Sequence, residues 1–327
     1  MSPAKVFVTR AIPSEGLALL AAQVEVDLWP DMLPPPYAAL TERVRGCAGV
    51  LTLLSDRVDA ALLDAAGPDL RVVSQMAVGY DNIDIAACTA RRLPVGHTPG
   101  VLTEATADFA WALLMAAARR VAEGDRFVRA GHWTTWHPKL LVGLDVYGAS
   151  LGLIGFGRIG QAMARRAAGF GMRVRYYAAS GPKPEAEAVI GARYADLDTL
   201  LAESDFLSLH VPLNADTRQM INAATLAKVK RGAVLVNTAR GGVVDQVALH
   251  AALTSGRLSA AGLDVSDPEP LPVDSPLLHL ENVVLAPHIA SGSLQARTRM
   301  ATMAAENLLA GLRGDRLPHC VNPQVYG

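Results

Sequence analysis

The chain has 327 residues, 51% hydrophobic and 5% aromatic, which is too much chain for one small core and enough apolar surface for two domains of ordinary size. Lys and Arg number 30 and Asp and Glu 31, a formal net charge of −1, so nothing in the balance calls for nucleic acid or an anionic membrane as partner. Three cysteines (Cys47, Cys88, Cys320) without a C-x-x-C pair argue against a disulfide framework or zinc site, and neither a signal core nor an apolar run of ~20 residues is present, which sets the expectation of a cytoplasmic protein.

Short strands alternate with amphipathic helices over the first ~100 residues, the pattern of a parallel sheet. Strands are expected at 6–9, 24–28, 50–54 and 72–74, and a helix at 13–22 with Leu17, Leu19 and Leu20 apolar. The Ala-rich stretch 103–122 predicts one long helix with Thr103 as its N-cap. Residues 131–143 hold Trp133, Trp136, Pro138, Leu140 and Leu141. This apolar arm reads either as a loop within a domain or as a subunit contact.

A second α/β series begins at Ser150. Six strands are expected, at 151–154, 174–177, 206–210, 234–237, 260–263 and 283–285, the count of a dinucleotide-binding doubly wound sheet. A last helix at 293–312, with Met300, Met303 and Leu308 apolar, has no strand after it. It is expected to pack back on the first domain and make that domain discontinuous. The expected domains are 1–98 plus 292–327, and 99–291.

Gly155-Phe156-Gly157-Arg158-Ile159-Gly160 joins the 151–154 strand to a helix through Ala168. In a G-x-G-x-x-G turn the first glycine makes the tight turn, the second admits a pyrophosphate, and the third lets helix and strand pack closely. The helix start, Arg158 and Ile159, presents unpaired N–H groups to the phosphates. After the next strand an Asp or Glu normally binds the adenosine ribose and repels a 2′-phosphate. No acid lies between Val174 and Pro184, whereas Ser180 and Lys183 offer a hydroxyl and a charge. NADPH is therefore expected to be accepted or preferred, with NAD possible.

Gly148-Ala149-Ser150-Leu151-Gly152 matches the G-x-S-x-G nucleophile pattern, but Ser150 precedes a strand instead of joining a strand to a helix. The match is read as chance. No H-E-x-x-H pair exists, and His132 and His137 are five apart, so no metal site is expected. His210 ends a strand, and His97, before Thr98-Pro99-Gly100, is a candidate for interdomain contact.

Three segments at the ends of later strands carry functional groups: Asn237-Thr238-Ala239-Arg240-Gly241, Asp264 through Glu269, and Pro287-His288 through Ser291-Gly292. Ligands bind off the carboxyl ends of strands in open α/β sheets. Reduction of a 2-oxoacid needs a planar donor fork for the carboxylate and keto oxygen, for which Arg240 is the candidate. It also needs an acid, for which His288 is the candidate, and a carboxylate that favours the charged imidazole, for which Glu269 is the candidate; taken singly, each of the three residues reads equally as a salt bridge or a helix cap.

With Ala77-Val78-Gly79-Tyr80-Asp81-Asn82-Ile83-Asp84 and Ala105-Thr106-Ala107-Asp108, these segments resemble the D-isomer-specific 2-hydroxyacid dehydrogenase family, and within it the glyoxylate/hydroxypyruvate reductases. The resemblance runs over nearly the whole length. It implies two doubly wound α/β domains, a Rossmann dinucleotide-binding domain and a discontinuous flavodoxin-like substrate domain, with a cleft between them that closes on the substrate. It implies Arg240, Glu269 and His288 as catalytic residues, and the backbone N–H groups of Val78 and Gly79 as substrate-carboxylate donors. It places Thr106 near the cofactor, Asp264, Ser291 and Gly292 at the nicotinamide carboxamide, and Val211, Pro212 and Thr217 on the adenosine side. Thr238 and Ala239 join the cofactor set. It also implies a homodimer, with Trp136 of the arm reaching a substrate site, its own or its partner's. Glu269 stands where formate-dehydrogenase-like members carry Gln, and Val78 where phosphite-oxidising members carry Lys. The alternatives are a dehydrogenase for bulkier 2-hydroxyacids, a phosphite dehydrogenase, and a non-catalytic dinucleotide sensor like the family's co-repressors.

Overall fold

The computed structural model describes residues 3–327. The chain divides into two units, Met1–Leu102 with Ser293–Gly327, and Thr103–Gly292. The first runs β1 (Lys5–Val8), α1 (Ser14–Ala21), β2 (Glu25–Leu28), α2 (Tyr37–Arg43), β3 (Gly49–Thr52), α3 (Ala60–Ala66), β4 (Val72–Gln75), α4 (Ile85–Ala90) and β5 (Val95–Gly96). Its strands pair in parallel in the order β2-β1-β3-β4-β5, the flavodoxin-like order. Helices cover both faces, so β3 and β4 are buried throughout and do not alternate. On one face Phe7, Leu40, Leu62, Val73 and Cys88 share a core. Asp59 and Asp84 start α3 and α4 by accepting the N–H of Leu62 (3.0 Å) and Ala87 (2.8 Å).

The second unit runs α5 (Thr103–Ala118), α6 (Val121–Arg129), β6 (Ser150–Ile154), α7 (Arg158–Ala168), β7 (Arg173–Tyr177), α8 (Pro184–Ile190), β8 (Arg193–Tyr194), α9 (Leu197–Glu203), β9 (Phe206–Leu209), α10 (Ala223–Lys228), β10 (Ala233–Asn237), α11 (Gln246–Thr254), β11 (Leu258–Leu263) and β12 (Val283–Leu285). Its parallel sheet has the order β12-β11-β10-β9-β6-β7-β8. Strand order reverses between β6 and β9, the point where an open α/β sheet leaves a crevice at its carboxyl rim. Leu114, Leu151, Phe156, Met163 and Tyr176 fill one face with α5 and α7. Leu200, Leu209, Leu226, Leu249 and Leu263 fill the other with α9, α10 and α11.

The chain then returns to the first unit as α12 (Leu294–Arg313), capped by Ser293, whose hydroxyl accepts from Ala296 N–H at 3.2 Å. Gly16 of α1 lies against the backbone of Ala301, and Gly311 against the side chain of Val72 in β4. A side chain at either glycine would push the helix off its neighbour, so these two positions set how closely α12 packs on the first unit.

Three expectations are corrected. The second sheet has seven strands and not six, because β8 is a two-residue exposed strand with no apolar pattern to announce it. The 103–122 helix is two helices: α5 stops at Ala118 and Arg120 takes a left-handed φ of 53°. No Gly or Pro marks this break. It comes from the arm, where Leu144 N–H takes the Ala118 carbonyl at 2.8 Å and Gly143 sits against that same carbonyl. Thr103 is the first helical residue, one position later than a cap. Among the described residues no helix is long and apolar enough to cross a membrane.

Candidate active site

Parallel strands put their following loops on one rim. The glycine turn after β6 shares that rim with the loops after β9, β10, β11 and β12. The turn is built as its residues require. Gly155 has φ 99°, a conformation costly to any residue with a Cβ, and it lies against the His210 carbonyl. Gly160 packs against the Gly155 carbonyl, so α7 begins close upon β6. Around Gly157 the space is open. Arg158 and Ile159 open α7.

Lys183 folds back over this turn. Its Nζ donates to the Phe156 carbonyl at 3.2 Å and its backbone N–H to the Tyr176 hydroxyl at 2.5 Å. Tyr176 stacks on Phe156 with centroids 3.8 Å apart. Ser180 is exposed in the same loop. Val211 and Pro212 follow β9, and the Thr217 hydroxyl donates to Pro212 O at 2.6 Å, closing that loop. Thr106 is buried in α5. Val78 and Gly79 belong to the first unit, where they follow β4. Trp136 stands 77% exposed in the arm. Ser150 opens β6, and its hydroxyl accepts from Arg173 at 2.9 Å.

The three later loops are stitched together. Asn237 ends β10 fully buried. Its amide donates to Arg240 O (2.9 Å) and its Oδ1 accepts Ala239 N–H (3.0 Å), so the turn carrying Arg240 is closed by one side chain. Arg240 Nη1 donates to Ala239 O at 2.8 Å. Gly241 has no room for a Cβ beside the backbone of Ser266, which brings the loops after β10 and β11 into contact. Asp264 N–H then donates to Asn237 O at 2.9 Å.

Asp264 also holds the third loop. Its backbone carbonyl accepts His288 N–H (2.8 Å), and its carboxylate accepts Ile289 N–H (2.8 Å) and Ala290 N–H (2.7 Å). These bonds grip His288 at a left-handed φ of 57°. Burial pushes the Asp264 carboxyl above the usual carboxylate range, against the pull of the two amides and of His288. Ionising Asp264 therefore works against folding as pH rises through that raised value. The His288 imidazole is completed by Glu269, with Nδ1 and Oε1 2.5 Å apart. Ser291 and Gly292 follow on the same loop, and Gly292 N–H donates to Ile289 O at 2.7 Å.

The site has room and an unmet polar group for a nucleotide. A Cβ placed on Gly157 would meet nothing within 4 Å, and the buried Thr238 Oγ1 has no hydrogen-bond partner, a cost that an incoming donor or acceptor would relieve. Among the described residues no group of three His, Cys, Asp or Glu is placed to hold a metal ion. Asn237 and the gripping role of Asp264 escaped the reading of the sequence. An Asn just before a Gly-rich turn is an Asx-turn signal that points to the first.

Beneath the turn, burial of the His210 imidazole pushes its pKa down to about 4 from 6.5, and it shares a hydrogen bond with Ser208 Oγ at 2.9 Å. A depressed histidine contributes stability that is present above 6.5 and lost as pH falls through the folded value. Urea unfolding should thus show a decline between pH 6.5 and 4 that is about 1–3 kcal/mol shallower in His210→Gln; the residue is only partly buried, which sets the lower figure. Parallel pH curves for the two proteins would contradict this.

Known proteins show the same organisation. The sequence profile of the D-isomer specific 2-hydroxyacid dehydrogenase NAD binding domain matches residues 111–290. A glyoxylate reductase of Korarchaeum cryptofilum is 55% identical over 322 residues, 98% of this chain and 96% of its own. A crystal structure of a Thermus thermophilus protein superposes with a TM-score of 0.91 at 48% identity, over 97% of this chain and 99% of its own. An NADPH-dependent glyoxylate/hydroxypyruvate reductase of Sinorhizobium meliloti, solved with NADP and malonate, gives 0.86 at 32%, over 98% of each. The glycine turn and the stitched rim loops thus lie inside a stretch whose likeness to one family extends to both ends of the chain: it belongs to the D-isomer-specific 2-hydroxyacid dehydrogenases.

Proposed function

We propose that the protein is an NAD(P)H-dependent 2-oxoacid reductase acting on glyoxylate or hydroxypyruvate. One observation carries the reading: an imidazole bound to a carboxylate at 2.5 Å stands on the same sheet rim as the glycine turn and the Arg240 loop. The activity of the Korarchaeum relative supports the substrate.

A nicotinamide dinucleotide, when bound, would supply the hydride for reduction of the keto carbon. Gly155, Gly157, Gly160 and the first N–H groups of α7 would hold its pyrophosphate, and Thr238, Ala239, Asp264, Ser291 and Gly292 its nicotinamide side. Arg240 binds the substrate carboxylate and polarises the keto oxygen, and the N–H groups of Val78 and Gly79 are further carboxylate donors. In the imidazolium both nitrogens of His288 carry protons. Nδ1–H is given to Glu269, so Nε2–H is the proton passed to the forming alkoxide. Glu269 fixes the ring's orientation and stabilises its charge.

Ser180 and Lys183 are proposed to favour NADPH. The bond of Lys183 Nζ to the glycine turn supports this, since it would hold a cation on the loop after β7, where an adenosine 2′-phosphate would be met. Lys183→Ala should cut kcat/KM for NADPH about tenfold and leave NADH within twofold. Equal losses with both cofactors would contradict the role. The exposed Trp133 and Trp136 support a homodimer through the arm, and we propose a cytoplasmic location. The function is tested by steady-state NADPH and NADH oxidation with a panel of 2-oxoacids. Glycolate formed in step with cofactor consumed is expected. No turnover with any 2-oxoacid would overturn the reading.

A further inference from the structure

The turn after β4 has all four of its carbonyls taken within its own unit. Thr98 N–H donates to Ala77 O (2.8 Å) and Ile83 N–H to Tyr80 O (3.0 Å). His97 Nδ1–H donates to Val78 O (3.0 Å) and Gln75 Nε2–H to Gly79 O (2.8 Å). Among the described residues, no hydrogen bond is made by the N–H of Val78 or Gly79.

A trans peptide unit is planar, with its C=O and N–H antiparallel. Fixing one carbonyl therefore aims the next residue's N–H. The Ala77 bond aims the Val78 N–H, and it comes from backbone. The Val78 bond aims the Gly79 N–H, and it comes from the His97 side chain. A carbonyl can only accept, so Nδ1 carries the proton and the tautomer is set.

His97 is itself held. Its carbonyl accepts from Asn307 Nδ2 (2.9 Å) and its N–H donates to His319 O (3.1 Å). Asn307 is fully buried on α12 and also accepts His319 N–H at 3.0 Å. The Tyr80 ring meets the imidazole edge-on at 5.8 Å. The support thus runs from α12 through Asn307 and His97 to the Val78–Gly79 peptide.

We propose that His97 is a positioning residue, whose Nδ1–H locks the Val78–Gly79 peptide so that the Gly79 N–H is presented to the substrate carboxylate. This rests on the 2-oxoacid reading above. It assigns His97 no contact with the reacting atoms.

The test compares His97→Phe, which removes the donor, with His97→Asn, whose amide can place an N–H near the Nδ1 position. His97→Phe should raise KM for glyoxylate about tenfold, the loss of one well-aimed hydrogen bond, with kcat and the KM for NADPH within twofold. His97→Asn should recover most of the loss. A glyoxylate KM unchanged in His97→Phe, or a kcat loss that His97→Asn does not restore, would overturn the positioning role while the reductase reading stands. If the wild type reduces no 2-oxoacid, that reading fails instead. The same variants are then titrated with oxalate by calorimetry: weaker binding in His97→Phe, recovered in His97→Asn, supports the role, and equal or absent binding in all three proteins overturns it.

Discussion

His288→Asn is expected to lower kcat for glyoxylate reduction by about 10²–10⁴-fold, with the KM for NADPH within twofold. The choice of Asn follows from the backbone. His288 has φ 57°, and Asn is among the few residues that accept this region at low cost, whereas Ala would add strain of about 1–2 kcal/mol. Asn also keeps a short amide facing Glu269. The Asp264 grip on the backbone at 288–290 is untouched, so the melting temperature should move by only a few degrees. Steady-state kinetics and thermal unfolding on one preparation separate loss of the proton donor from loss of the loop. Near-normal turnover in a folded His288→Asn protein would contradict the assignment.

The second large effect is expected at Arg240. Arg240→Lys keeps the charge and removes the planar fork, so substrate carboxylate and keto oxygen lose their shared two-point contact. A fall in kcat/KM of about 10²–10³ is expected, the range for losing a donor aimed at developing negative charge. Both parameters should suffer, because the guanidinium serves ground-state binding and the transition state. The turn itself is closed by Asn237 and packed through Gly241, so the substitution leaves its path intact. A kcat/KM within threefold of wild type would remove Arg240 from the chemistry.

These residues stand together for a reason visible in the sequence and for one that is not. The visible reason is the parallel sheet: apolar segments separated by helices force successive carboxyl ends onto one rim, so Arg240, Asp264 and His288 share it despite their separation. The glycine turn was legible because Gly155 and Gly160 are each compelled by sterics. The hidden reason is the stitching between loops. Gly241 against Ser266, and Asp264 against Ile289 and Ala290, are contacts between distant segments that no local pattern encodes. The Thr103–Ala122 stretch shows the same limit, since good helix formers run through a break that the arm imposes at Ala118. So does His97, whose partner Val78 becomes its neighbour only when β4 and β5 pair.

The central claim is most directly tested by a crystal structure with NADP and oxamate, a non-reducible mimic of glyoxylate. The account predicts the oxamate amide oxygen, which stands in for the keto oxygen of the substrate, within about 3.2 Å of both His288 Nε2 and an Arg240 guanidinium nitrogen, the reach of a working hydrogen bond. Oxamate bound with its amide oxygen turned away from His288, or clear of Arg240, would contradict it.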